Sequence, residues 1–283
     1  MSTLELVKKS AQMNDFLEAK KHAEDLRDTT LWNEAIQALR DAGKSPCPTC
    51  QSKQTIIVSE KTLDVYVFCE NCRTKEIEEK DRLAKEQAKK SIEVNIEKIL
   101  STHGVPKRFL KAHIEDFPKK FMSLVDGDRG YYFHGGSGVG KTHFAVALMR
   151  NEILNLEPEQ KNYHKWDIPS EKMPLFVPVI ELLLDIRNSY NNTSISEKTI
   201  IDKYTHVDLL VLDDLGAEKT TEWVLQALYT IIDRRSREEM RTIITSNLSL
   251  TELKNKLDNR IASRIAGLCD VQEIEGKDRR LIR

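Results

Sequence analysis

Residues Tyr131-Tyr132-Phe133-His134-Gly135-Gly136-Ser137-Gly138-Val139-Gly140-Lys141-Thr142 run from an aromatic segment suited to a buried strand into a glycine-rich loop closed by Lys-Thr. Positions 135–142 fit the phosphate-loop pattern GxxxxGK[ST]. Gly135, Gly136, Gly138 and Gly140, with Ser137 and Val139 between them, let backbone amides turn toward phosphate oxygens without a side chain intervening. Lys141 brings a point charge to the β/γ-phosphates. Thr142 offers a hydroxyl to Mg²⁺ and opens a helix, Thr142 to Met149, whose N-terminal dipole and free amides favour an anion. A glycine-rich turn could match by accident, but strand, loop and helix follow one another in the required order. The pattern implies binding of a nucleoside triphosphate, ATP, with Mg²⁺.

A second segment supplies acids. Val207 to Asp214 is an apolar run ending in two carboxylates, as expected of a buried central strand whose C-terminal tip faces the ligand. Asp213 is the expected Mg²⁺ holder, and Asp214 is placed to orient an attacking water at the γ-phosphate. Two acids at a strand end could also make a simple turn, a reading the upstream loop disfavours. Pro174 to Val179 reads as a further strand followed by helical Glu181 to Ile186. Thr242 to Ser246 is a β-branched strand with Asn247 at its polar tip, within reach of the γ-phosphate or its water. The expected class is α/β with a parallel sheet, in the pattern of additional-strand ATPases.

The 283 residues are 40% hydrophobic and 31% charged, the composition of a soluble chain with more than one module. No run approaches the length of a membrane span, and Met1 to Leu6 lacks the basic and apolar blocks of a secretion signal, so no membrane partner and a cytoplasmic location are expected. With a formal net charge of −1, any nucleic-acid contact must come from a local patch. Lys107, Arg108 and Lys111 form one basic cluster and Arg234, Arg235 and Arg237 another, though solvated helix faces explain both equally well.

Four of the five cysteines form two CxxC pairs, Cys47/Cys50 and Cys69/Cys72, separated by eighteen residues. Thr55 to Val58 and Val65 to Phe68 read as two strands joined by polar 59–64, a hairpin that would bring the thiolates together around Zn²⁺. Disulfides are the alternative and sit badly with a cytoplasmic chain. Such a ribbon, too short for its own core, would draw folding free energy from the metal and serve docking rather than chemistry. Cys269 reads as a small core residue. The expected order is an N-terminal helical segment over 1–45, a zinc ribbon over 46–73, a largely solvated helical linker over 74–102 and the ATPase domain over 103–283.

Over about two-thirds of its length, the chain resembles AAA+ ATPases of the DnaC/DnaI/IstB group. The resemblance rests on His103 to Phe109, the phosphate loop, Leu210 to Gly216, Ile243 to Leu248 and Asn259 to Ile265. The resemblance implies a replicative helicase loader in DNA replication, with a replicative DNA helicase and single-stranded DNA as partners, ATP-dependent homo-oligomers, and slow, assembly-dependent ATP hydrolysis. It makes Arg264 the arginine finger for a neighbouring subunit's γ-phosphate, the alternative being a helix-surface arginine with a solvated head. It adds Arg279 or Arg280 as a second nucleotide sensor, without a complete helical lid. The cysteine module looks like that of the DnaI-type loaders, with four Cys where those often carry a mixed Cys/His set. A transposition helper and a nucleotide-gated adaptor with little turnover are the rival readings.

Overall fold

A computed structural model describes Gln37 and residues 49–52, 54–58, 65–125, 127–162, 165–189, 196–279 and 281. The helices expected over 1–45, Cys47, the turn at 59–64, the Asn191 to Ser194 loop and Arg280 lie outside the described residues. The chain forms two compact units, Met1–Ala84 and Lys85–Arg283.

In the first unit, β1 (Gln54–Val58) pairs antiparallel with β2 (Val65–Cys69), each one residue longer than its sequence pattern predicts. The register sets Gln54 opposite Cys69, so the end of β2 returns to the start of β1. Helix α1 (Glu70–Thr102) begins directly after Cys69. Most of the helix is exposed or half-buried, and Ile96 and Leu100 near its far end are buried in the core of the second unit.

That unit is built on a five-stranded parallel sheet. Its strands are β3 (Gly130–His134), β6 (Leu175–Pro178), β7 (Leu210–Asp213), β8 (Thr242–Thr245) and β9 (Cys269–Glu273), in the spatial order β6-β7-β8-β3-β9. β8 is therefore inserted between the phosphate-loop strand and the carboxylate strand. This is the AAA+ P-loop arrangement expected from the sequence. Strand alternation divides the apolar residues between two faces. Tyr132, Leu210, Leu212 and Ile244 pack on one side, and Tyr131, Phe133, Val211 and Ile243 on the other.

Helix α2 (Lys141–Asn155) covers the second face, burying Phe144, Val146, Leu148 and Ile153. The first face is covered by α3 (Val179–Ser189), α4 (Glu197–Thr205), α5 (Glu222–Arg237), α6 (Leu250–Lys256) and α7 (Asn259–Leu268). Their starts follow capping chemistry: Thr221 accepts from Val224 N–H, Ser249 and Glu252 form a capping box, and Asp258 accepts from Arg260 N–H.

Three elements differ from expectation. β7 starts at Leu210 rather than Val207. A polar antiparallel hairpin, β4 (Glu159–Asn162) with β5 (Lys165–Asp167), follows α2 without an apolar signal to announce it. β9 carries one β-branched residue, Val271, and is a strand because its backbone pairs in register with all of β3.

The Arg234/Arg235/Arg237 cluster does not form one basic surface. Arg235 is fully buried. It donates to the carbonyls of Tyr204, Thr205, Val207 and Arg241 and to the Thr242 hydroxyl, satisfying carbonyls at the C-terminal end of α4 that helix geometry leaves without partners. Arg234 pairs with Asp202 and Arg237 with Asp233.

Candidate functional site

The C-terminal ends of β3, β7 and β8 open on one cavity of about 510 Å³, lined by the phosphate loop, Asp213, Asp214, Thr245 and Asn247. The loop's shape depends on glycine where the backbone enters the left-handed region, at Gly135, Gly138 and Gly140. Gly140 holds φ at 112° as the residue before α2. Gly135 sits at φ 138°, where a Cβ would collide with the carbonyl of Ile274. Val139 anchors the loop from below, being buried, while Gly136 and Ser137 remain at the surface.

Strand pairing brings the two halves of the site together. Thr142 Oγ1 donates to Asp213 Oδ1 at 2.7 Å, and Thr245 Oγ1 donates to the same oxygen at 2.7 Å. Asp213 is 8% exposed, and burial is the main reason its carboxyl is raised above the ordinary range; the two threonine hydrogen bonds pull it back down and Asp214 raises it further. A desolvated carboxylate beside a threonine hydroxyl is a hard-oxygen pair suited to Mg²⁺, which would supply the missing positive charge.

Asp214 is exposed and adopts φ 62°, a left-handed conformation that aspartate tolerates better than most residues. The turn is held by β8: Asp214 N–H donates to Thr245 Oγ1 and Leu215 N–H to the Thr245 carbonyl. Beyond it, buried Glu218 accepts from Gly216 N–H, and its carboxyl is raised chiefly by burial.

Asn247 bridges the two sides of the cavity. Its Oδ1 accepts from Lys141 Nζ at 2.8 Å and its Nδ2 donates to Asp214 Oδ1 at 3.2 Å. Lys141 Nζ also donates to the carbonyls of Gly135 and Gly136, so the ammonium is satisfied by the loop itself and must exchange partners to meet a phosphate.

Three residues outside these motifs complete the wall. Arg108, Phe109 and His143 line the cavity. The Arg108 guanidinium sits 4.4 Å from the Phe109 ring centre and lowers Asp213, while His143 Nε2 lies 2.7 Å from Asp116 Oδ2. Arg108 thus stands at the nucleotide-sized cavity rather than simply in a surface cluster with Lys107 and Lys111. The sequence marks His143 by its place beside Thr142 and marks Arg108 and Phe109 as part of the 103–109 segment, but neither signal assigns the three to the cavity. Arg279 also reaches the cavity: its N–H donates to the Gly138 carbonyl at 3.0 Å, and its guanidinium lies 5.2 Å from the Phe117 ring.

Arg264 is not brought to this cavity. It lies on α7, with Nε 2.8 Å from Asp233 Oδ1. Its guanidinium pKa is raised by a hydrogen bond to Tyr229 and by the Asp233 charge.

In the first unit, the thiols of Cys50, Cys69 and Cys72 lie within 4.8 Å of one another, with Cys50 Sγ 3.3 Å from Cys69 Sγ. Zn–S bonds of about 2.3 Å in a tetrahedron require sulfurs under 4 Å apart, so the cluster is compatible with zinc after small adjustments. Hydrogen bonds, first from the Ser52 side chain, hold the Cys50 thiol down to about 5, in the range where a thiolate is available as a ligand.

Residues 127–270 match the family described as the bacterial DnaA ATPase domain. The replicative helicase loader DnaI of Bacillus subtilis (strain 168) is 31% identical over 181 residues, 59% of this chain and 52% of that protein. The replicative helicase loader DnaC of Escherichia coli (strain K12) is 24% identical over 148 residues, 52% of this chain and 54% of that protein. The chain spans about half the length of these relatives. A crystal structure of the DnaC helicase loader aligns with a TM-score of 0.49 at 24% identity, over 60% of this chain and 100% of that one.

Proposed function

This chain belongs to the bacterial DnaA ATPase domain family, and from that premise we propose that it is a cytoplasmic, ATP-dependent loader of a replicative DNA helicase onto single-stranded DNA. The observation that carries the nucleotide part is the convergence of Lys141, Thr142, Asp213, Asp214 and Asn247 on one cavity from three different strands. The loader part is supported by similarity to DnaI and DnaC, both named replicative helicase loaders.

Residues 135–142 cradle the phosphates with backbone amides, and Lys141 leaves its loop carbonyls to meet the β/γ-phosphates. Thr142 and Asp213 would hold Mg²⁺, which would supply positive charge to the phosphate oxygens. Asp214, kept in place by Asn247, orients a water in line with the γ-phosphorus and receives its proton; the bond to the leaving diphosphate breaks as the new P–O bond forms. Arg264 acts in trans, so turnover is slow until subunits assemble. Cys50, Cys69 and Cys72, with Cys47, hold a structural zinc in the module that docks the helicase.

The test is native mass measurement of the full chain mixed with the replicative helicase of its own cell, ATP and Mg²⁺. A helicase hexamer carrying loader subunits, absent when Cys50 and Cys69 are both replaced by serine, supports the reading. A helicase that stays bare at micromolar protein refutes it.

A further inference from the structure

Helix α5 presents Tyr229, Asp233 and Arg237 at four-residue intervals, hence on one face, and α7 presents Arg260 and Arg264 likewise. The two stripes lie against each other. The Arg260 guanidinium lies 5.1 Å from the Tyr229 ring centre, Arg264 Nε is 2.8 Å from Asp233 Oδ1, and Arg237 Nη2 is 2.8 Å from Asp233 Oδ2. The Asp233 side chain is 10% exposed, whereas that of Arg264 is 47% exposed.

Stability does not require this arrangement. Ile261, Ala262, Ile265 and Leu268 of α7 are buried, and the first, third and fourth share a core with Leu228, Ile231 and Ile232 of α5. That apolar seam holds the two helices together, whereas the hydration lost by the buried Asp233 carboxylate offsets much of the gain from pairing it with a half-exposed guanidinium. What the pair supplies is geometry. The Asp233 charge lies on the stem side of the guanidinium, at Nε, and Tyr229 also bonds the group, while 47% of the Arg264 side chain stays in solvent, where a phosphate would meet it. A free arginine side chain would lose rotamer entropy at the moment of that encounter, and the tether removes part of this loss beforehand.

We propose that Asp233 is a positioning residue that holds Arg264 in the orientation needed to reach a neighbouring subunit's nucleotide. This rests on the trans role given to Arg264 above. Arg237 neutralises the second carboxylate oxygen and takes no part in the orientation.

The full chain is compared with D233N, R264A, the double variant and R237A, by ATP turnover against protein concentration, equilibrium binding of a non-hydrolysable ATP analogue, and melting. D233N is expected to lower the turnover reached at high protein concentration on the order of tenfold or more, as misplacement of a catalytic group does. Analogue affinity stays unchanged, the double variant is no slower than R264A, and R237A turns over as the parent does. Wild-type turnover in D233N beside an impaired R264A overturns the positioning role and leaves the finger standing. Wild-type turnover in R264A removes the finger and this proposal together. Parallel loss of analogue binding and melting temperature in D233N makes Asp233 a structural residue only. If D233N does not fold, D233E decides on the same terms, since it keeps the charge at a shifted position.

Discussion

Thr142, the last residue of the phosphate loop, donates a hydrogen bond to Asp213, the last residue of β7, across 71 positions of sequence at 2.7 Å. The pair already has the composition of a Mg²⁺ site, and it leaves a buried acid without a full counter-charge.

Replacing Asp213 by Asn should therefore stabilise the nucleotide-free protein while weakening Mg²⁺-nucleotide binding, because the amide oxygen can still accept from Thr142 and Thr245. The sign follows from the raised folded-state value: the contribution of Asp213 is fully present below its unfolded value of about 4 and is lost as pH rises through the folded one. Melting curves in the absence of nucleotide should coincide for the two proteins near pH 4 and separate toward neutrality, with D213N the more stable. A parent protein that melts higher than D213N at neutral pH contradicts this.

Lys141→Ala removes the only ammonium in the loop. Loss of a charged hydrogen-bonding group of this kind costs about 2–3 kcal/mol, or roughly 30- to 150-fold in nucleotide affinity. Fluorescent-nucleotide titration measures it directly. Melting without nucleotide should change little, since the Lys141 ammonium there bonds Asn247 and two carbonyls of its own loop.

Arg235→Lys is expected to destabilise the ATPase unit by about 3 kcal/mol or more, because one ammonium cannot serve four carbonyls and a hydroxyl spread around a planar fork. Chemical denaturation reads the loss. Single-stranded DNA affinity of the protein that remains folded should be unaffected, and a selective loss of DNA binding at unchanged stability would return Arg235 to the surface role its neighbours suggest.

Chelation of zinc, or Cys69→Ser, should remove amide protection over β1, β2 and the first turns of α1, while leaving β3 and β7 protected. Hydrogen exchange followed by mass spectrometry separates the two regions. Uniform protection after chelation would mean that the hairpin stands without metal.

The sequence by itself determined the phosphate loop, the acid pair and the polar tip at Asn247, because each is a local requirement: glycine where φ is positive, carboxylates at the end of an apolar strand, an amide two residues past the end of the next. It determined the α/β class for the same reason, through β-branched runs alternating with helical periodicity. Only the tertiary structure decided where the chain's arginines go. Arg235 lies between a half-buried Arg234 and an exposed Arg237 in sequence yet caps a helix end inside the core, Arg108 stands at the nucleotide cavity from a segment that precedes the loop, and Arg264 rests on Asp233 from another helix. An arginine carries the same charge and reach in each place, so local sequence does not distinguish them; the partners that absorb its five N–H donors are assembled by strand order and helix packing. The same holds for β9, whose residues have little strand preference and become a strand only because β3 offers an unpaired edge beside them.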